Sequence, residues 1–283
     1  MPDSLLTESE ILSAYDHVGA LYPHQPTLSL WRAWELAAYR RHQLVEPVLD
    51  IGCGDGRFFR LIFPAIRRVV GVDHDPAAVS AALRTEVYEA VHTAPADRIP
   101  LSDASFASAF ANCSLEHMDN LSDVLSEIYR LLRPGGRFLF SVVTDKFVTW
   151  NPLPMLAGAI GGAAAARRIG REYLDYHHLV NPLSVEHWKT HLTNAGFERI
   201  DALSIIPEVS SRVFLFLDAL WHLHPQSETG KKSAAEVGGM LESYFARIPG
   251  FPATFREIIA ALIRMEVSRT EGCGVVFLAR RPA

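Results

Sequence analysis

Three glycines, Gly52, Gly54 and Gly56, occupy alternate positions directly after the apolar run 48–51, and Asp50 lies inside that run. Glycines so placed let a backbone turn sharply and come close to a ligand that a Cβ would exclude. A second carboxylate, Asp73, closes the apolar run 69–73 nineteen residues after Gly54. At about that separation an acid commonly receives the two hydroxyls of a ribose. The glycine spacing is GxGxG and not GxGxxG, and the Asp50 carboxylate ahead of it would repel a pyrophosphate but attract a cationic amine. Strand, glycine loop, helix and distal acid follow one another in the order that a nucleoside site requires, which a tight turn with no ligand does not need.

The elements that must hold these residues follow from periodicity. Short apolar runs at 47–51, 68–73, 88–93, 106–112, 137–144, 197–206 and 274–279 predict strands. Helices are predicted at 5–15 and 28–43, from 57, at 76–83 with a proline in the first turn, and at 121–132, ended by Pro134-Gly135-Gly136. A further helix is predicted at 184–195, with Ser184 as N-cap and Gly196 after its end. Alternation of buried strands with helices implies a parallel sheet covered on both faces, because parallel neighbours need crossovers. The expected fold is therefore α/β, a doubly wound, mostly parallel seven-stranded sheet with an inserted helical cap. The chain divides into an N-terminal helical lid (1–46), a cofactor-binding core (47–144), an inserted cap segment (145–182), the core continued (183–206), a second cap segment (207–271) and a final strand (272–283). Helical patterns fill the second cap segment at 213–223, 234–246 and 255–267, and both cap segments are expected to assemble over the carboxyl edge of the sheet.

Composition narrows the class. With 27 Lys plus Arg against 32 Asp plus Glu the net charge is -5, which gives nucleic acid no electrostatic reason to bind. Hydrophobic residues at 49% and charged residues at 21% describe a packed protein and exclude disorder as the overall state. Cys53, Cys113 and Cys273 are few and scattered, with no CxxC, so neither a disulfide framework nor a cysteine metal site is expected. A reducing cytoplasm fits this usage, and the acidic N-terminus carries no export signal. The run 153–166 has no charge, but it is shorter than the ~20 residues a spanning helix needs and contains glycines. It is expected not to cross a membrane, while peripheral contact stays open for it and for 213–223.

Five motifs, VLDIGCGDGRF, GVDHDP, RIPLSDASF, NCSLEHM and LLRPGGRFLFS, run in order from residue 48 to about 144, and in this the chain resembles the class I S-adenosylmethionine-dependent methyltransferases. Weaker similarity resumes at LSVEHWKTHLTNAGFERI and at the final strand. The resemblance implies S-adenosyl-L-methionine as cofactor. By it, Gly52 and Gly54 hold the methionine part with Asp50 near its amino group, Asp73 binds the ribose hydroxyls and His74 lies near the adenine or faces solvent. The acid that the family carries after the third strand is replaced by Ala94-Pro95-Ala96, so Asp97 is the candidate from a shifted position. Asn112 and Cys113 follow the fourth strand at the edge where cofactor and acceptor should meet, Cys113 reading as a structural thiol.

Among twelve histidines, His187 and His191 stand four apart on a predicted helix but have no third ligand, so no metal site is expected. His177 and His178, before the helix at 184, are the candidate bases, or else they brace a loop. His117 reads as support for the cofactor loop. The expected activity is methyl transfer to an oxygen or nitrogen of a small, largely apolar or aromatic molecule, with no nucleic-acid partner. Alternatives are transfer to a lipid or quinone at a membrane surface and a non-catalytic S-adenosylmethionine-binding module. A dinucleotide-dependent oxidoreductase is disfavoured by GxGxG and Asp50.

Overall fold

Val48–Ile51 is buried at every position, as a strand must be when helices cover both faces and no residue can alternate to solvent. The computed structural model describes residues 5–221 and 234–283. His222 and His224, whose spacing of two falls outside helical register and suggests a helix end, lie outside them. In chain order the elements are α1 (Glu8–Leu21), α2 (Pro26–Tyr39), β1 (Val48–Ile51), α3 (Arg57–Ile62), β2 (Val69–Asp73), α4 (Pro76–Leu83), β3 (Ala90–Thr93), β4 (Phe106–Asn112), α5 (Leu121–Leu131) and β5 (Leu132–Val143). They continue as α6 (Lys146–Thr149), α7 (Pro152–Tyr176), α8 (Val185–Asn194), β6 (Glu198–Ile205), α9 (Glu208–Trp221), α10 (Ala234–Ala246), α11 (Phe251–Met265) and β7 (Gly274–Arg280).

The strands form one seven-stranded sheet in the order β3-β2-β1-β4-β5-β7-β6. β1 pairs in parallel with β2 on one side and with β4 on the other, Asp50 standing beside Gly71 and Phe110. β7 runs antiparallel to β5. Strand order reverses at β1, and the carboxyl ends of β1 and β4 there open the crevice in which such sheets bind ligands. The sequence reading ended α5 at a Pro-Gly-Gly stop. In the structure Leu132 is already extended and pairs with Phe106, and a register shift follows before Arg137 pairs with Ser108. Pairing of the buried Leu132 thus overrides the local stop signal.

The residues fall into two compact units. One comprises Tyr39–Thr144, Val180–Leu203 and Gly274–Ala283. Its core joins the buried stripe of α5 (Leu121, Val124, Leu125, Ile128, Leu131) to Phe138 and Phe140 of β5, Phe277 of β7, and Trp188 and Leu192 of α8. Ser184 caps α8 by accepting the His187 backbone N–H at 3.3 Å.

The other unit comprises the N-terminal residues to Ala38, Asp145–Leu179 and Ser204–Cys273. Thr7 and Glu10 close a capping box on α1. This helix continues past the predicted residue 15 because Asp16 pairs with Arg256 of α11 at 2.6 Å, while the Tyr15 hydroxyl donates to the Pro252 carbonyl. Glu266 accepts from the backbone N–H groups of Val209 and Ser210 at 3.0 and 2.7 Å, satisfying the orphan donors that open α9. α7 is two helical arms joined at Gly162, whose φ of 74° and ψ of -176° no helix contains. The arms lie close enough that a Cβ on Gly161 would stand 2.8 Å from that of Ala165, and one on Gly158 3.2 Å from that of Ala166.

Candidate functional site

β1 delivers the chain to the turn at 52–56, where the N–H groups of Gly52 and Cys53 both donate to the Val72 carbonyl of β2. A Cβ on Gly52 would come within 2.6 Å of that of Ser114, so the loop and the segment after β4 meet only because residue 52 has none. Gly54 adopts φ +53°, and nothing stands within 4 Å of where its Cβ would be. Its N–H donates to Asp73 Oδ2 at 3.0 Å, and the N–H of Asp75 donates to Asp73 Oδ1 at 3.0 Å. The carboxylate at the end of β2 is thus held from both sides.

A cavity of about 500 Å3 opens at these strand ends. Ile51, Val72, Ala94, Met118 and Val124 give it an apolar lining, and Gly52, Asp73, His74, Asp97, Cys113, Ser114, His117 and Asn120 add polar groups. A largely apolar hollow with a few converging polar groups is what a small organic ligand requires. Asp97 accepts from Asn120 Nδ2 at 3.4 Å. His74 is exposed and has Nδ1 3.5 Å from Asp73 Oδ1. Cys113, with φ of 45°, donates its N–H to the Ser141 carbonyl, and Asn112 donates to Ser141 Oγ at 3.3 Å. The wall at 115–118 is fixed by Asn181, whose side chain donates to the carbonyls of Leu115 and Met118.

Asp50 is buried beside the glycine turn and accepts from the Tyr88 hydroxyl at 2.6 Å. Burial pushes its carboxyl up to about 7; the Tyr88 hydrogen bond opposes the shift and the charge of Asp73 adds to it. Near neutrality it therefore stands ready to ionise toward a cation. Of the site residues expected from the sequence, Gly52, Asp73, His74, Asp97 and Cys113 line the cavity, Gly54 is tied to it through Asp73, and Asp50 and Asn112 stand behind the strand ends that border it. Ser114, which follows Cys113 at the same strand edge in the sequence reading, also lines the cavity, whereas sequence reasoning missed Tyr88, Met118, Asn120 and Asn181. Tyr88 was legible only as the start of a strand.

His177 and His178 belong to the other unit. There Asp218 Oδ2 accepts from the Tyr173 hydroxyl at 2.6 Å and lies 3.0 Å from His177 Nε2. Phe147 stacks on Tyr173 and meets His177 edge-on at 5.3 Å. His178 is exposed and has φ of 50°. Asp218 was missed as well, although an acid inside the apolar stretch VFLFLDALW is a signal for a buried partner. Among the described residues no group of three or more His, Cys, Asp or Glu is gathered as a metal site, and no helix is long and apolar enough to cross a membrane.

Residues 49–140 match the model of the methyltransferase domain family. A malonyl-(acyl-carrier protein) O-methyltransferase of Yersinia pestis is 22% identical over 268 residues, 93% of this chain and 94% of that one. An enzyme of the same name from Erwinia billingiae is 31% identical over 163 residues, 54% of this chain and 62% of its own length. The crystal structure of an S-adenosylmethionine-dependent methyltransferase of Thermotoga maritima, a possible histamine N-methyltransferase, covers 95% of both chains with a TM-score of 0.55 at 16% identity. At that identity the fold is what is shared.

Proposed function

We propose that this chain, which belongs to the class I S-adenosylmethionine-dependent methyltransferases, transfers the methyl group to an oxygen of a small, largely apolar or aromatic acceptor and uses His177 as the base. The residues present fit the cofactor, because the carboxylate of Asp73 is anchored at the mouth of a hollow whose lining residue Gly52 has no room for a Cβ against Ser114. Asp50 would hold the amino group, Gly52 and Gly54 the methionine backbone, Asp73 the ribose hydroxyls, and His74 and Asp97 the edge of the adenine. Asn112 and Cys113 complete the border. When bound, the cofactor supplies a methyl group already activated by its sulfonium, so the protein's chief task is alignment, an effect that can reach ~7–11 kcal/mol.

The observation that carries the acceptor reading is the Tyr173–Asp218–His177 arrangement. Asp218 receives a proton donor from Nε2, which makes Nδ1 the basic nitrogen of His177. Tyr173 holds the carboxylate, and the carboxylate stabilises the imidazolium once Nδ1 has taken a hydroxyl proton from the acceptor. Phe147, which meets Tyr173 and His177, packs in turn with Trp31 and Phe214, the three ring centroids 5.1 to 6.1 Å apart, a setting suited to an aromatic or apolar body. His178, exposed and outside this arrangement, is the weaker of the two candidates.

A second reading rests on the relatives that extend over most of the chain and methylate a malonyl group on a carrier protein. A carboxylate is already deprotonated at neutral pH and needs no base. The two readings separate in single-turnover kinetics on a panel of phenols, alcohols and carrier-bound malonyl thioester. On the first, His177→Ala lowers the hydroxyl-acceptor rate by ~100-fold or more with cofactor affinity unchanged. Turnover confined to the malonyl thioester, with His177→Ala at the wild-type rate, would overturn it.

A further inference from the structure

From Phe147 to Ala166 the chain carries no charged side chain, and Arg167, Arg168 and Arg171 then follow within five residues. In the structure this stretch is the α7 hairpin. The arms meet through glycine and alanine, Gly158 facing Ala166 and Gly170 facing Pro154, so the larger apolar side chains are turned outward. Ile160 is 91% exposed, Met155 69% and Leu156 46%. Residues 159–164 at the tip are all exposed, and so are the three arginines behind it. Arg168 pairs with Glu172, whereas Arg167 and Arg171 make no ion pair with any described residue.

We infer that the α7 hairpin is a peripheral anchor that seats its apolar tip in an anionic lipid surface. The tip and the arginines form two levels: an uncharged end and a cationic base on the second arm. Gly158 faces Ala166, the last residue before the arginines, and from Gly158 to the turn at Gly162 the first arm rises about 6 Å at helical pitch, within the ~5–10 Å depth at which apolar side chains of interfacial helices sit below the headgroups. Charge complementarity selects the occupant. The chain's net charge of -5 repels an anionic bilayer, and the arginines beside the tip are what would turn this face toward it. Each basic residue near such a surface strengthens attachment, and salt weakens it. An acidic protein partner would pair with the arginines but would leave Ile160 and Met155 in water. A second copy would bring arginines against arginines. The inference goes beyond the proposed reaction and does not depend on which acceptor is methylated.

The test is co-flotation of the full chain with vesicles of phosphatidylcholine alone or mixed with phosphatidylglycerol. Wild type should float with the anionic vesicles and much less with the neutral ones. Ile160→Glu with Met155→Glu should lower binding at least about tenfold. Arg167→Gln with Arg171→Gln should remove the preference for phosphatidylglycerol while leaving weak binding to both. S-adenosylhomocysteine binding, which reports the other unit, and circular dichroism should stay at wild-type values in all variants, so a failed fold and a failed cofactor reading are both recognisable. The inference is overturned if wild type stays in the aqueous fraction with both vesicles, or if the glutamate variants float like wild type. It is equally overturned if Ile160 and the arginines instead govern self-association in sedimentation or binding to an acidic protein in the absence of lipid.

Discussion

Asp50 carries the least expected electrostatics of the cofactor site. Its pKa of about 7 lies above the ordinary 3.8 because burial penalises the carboxylate more than the Tyr88 hydrogen bond favours it. A folded-state pKa above the unfolded one means that the fold prefers the protonated acid. The stability this contributes is complete below about pH 4 and is lost as pH rises through about 7. Asp50→Asn should therefore stabilise the ligand-free protein at about pH 8, by a margin on the order of 1–4 kcal/mol, and much less at about pH 4. Urea unfolding at the two pH values checks this. Cofactor affinity should move the opposite way. On the proposed role of Asp50, its ionised form attracts the amino cation, so S-adenosylhomocysteine binding by wild type should weaken below about pH 7, and calorimetry on Asp50→Asn should find weaker binding with that pH step absent. Asp73→Ala should cost roughly 1.5–3 kcal/mol of binding. Gly54→Val should nearly abolish it, because the position has φ +53°, which a β-branched residue does not adopt, and its N–H holds Asp73. Wild-type affinity in both variants would misplace the site. Asp73 could be found by counting because strand, turn and helix fix its distance from the glycines. Tyr88 could not, since its bond to Asp50 spans 38 residues and neither residue type announces the other.

At the scale of elements, periodic segments were readable and segments held by distant partners were not. The strand at Phe106–Asn112 and the helix at Pro76–Leu83 stand where apolar runs and a proline start placed them. Ser184 caps α8 as its position before an amphipathic stretch implies. α1 outruns its apolar pattern where Asp16 pairs with Arg256 of α11, across 240 residues. Such partners leave no mark within the helix they extend. α7 is the instructive failure. Its alanines and glycines read as an apolar run without direction, and only the backbone reveals that Gly162 reverses the chain. The φ and ψ of Gly162 fall in a region open essentially to glycine alone, where another residue costs ~1–3 kcal/mol. Gly162→Ala should accordingly raise the rate of amide exchange across 152–176 by roughly 5- to 100-fold while leaving exchange in β1 and β4 unchanged. Equal exchange in the two proteins would mean that the turn does not depend on glycine.

For the whole molecule, the central consequence is that the cavity is assembled from stretches distant in sequence. Ile51 and Gly52, Val72 to His74, Ala94 to Asp97, Cys113 and Ser114, and His117 to Asn120 meet only when β1, β2, β3 and β4 are in order. The parallel sheet was legible from the alternation of apolar runs and helices, whereas the strand order emerges only from the pairing of the folded strands. A ligand that touches all of these stretches binds the folded state and not the unfolded chain. Stabilisation then follows mass action and reaches about 2.7 kcal/mol when the ligand is at 100 times its Kd. In a chain of this size each kcal/mol raises Tm by about 2–4 °C, so S-adenosylhomocysteine should shift the melting transition of the cavity-bearing unit upward by roughly 5–10 °C. Because the described residues form two units, amide exchange must accompany the melt to show which unit the shifted transition belongs to. Protection should concentrate at 51–54, 72–75, 94–97 and 113–120, the glycine turn and the ends of the four strands. NAD, whose pyrophosphate would have to pass the Asp50 carboxylate, should shift the transition little at the same concentration. A shift with NAD and none with S-adenosylhomocysteine would show that the glycine turn receives a pyrophosphate after all, and the proposed roles of Asp50 and Asp73 would fall together.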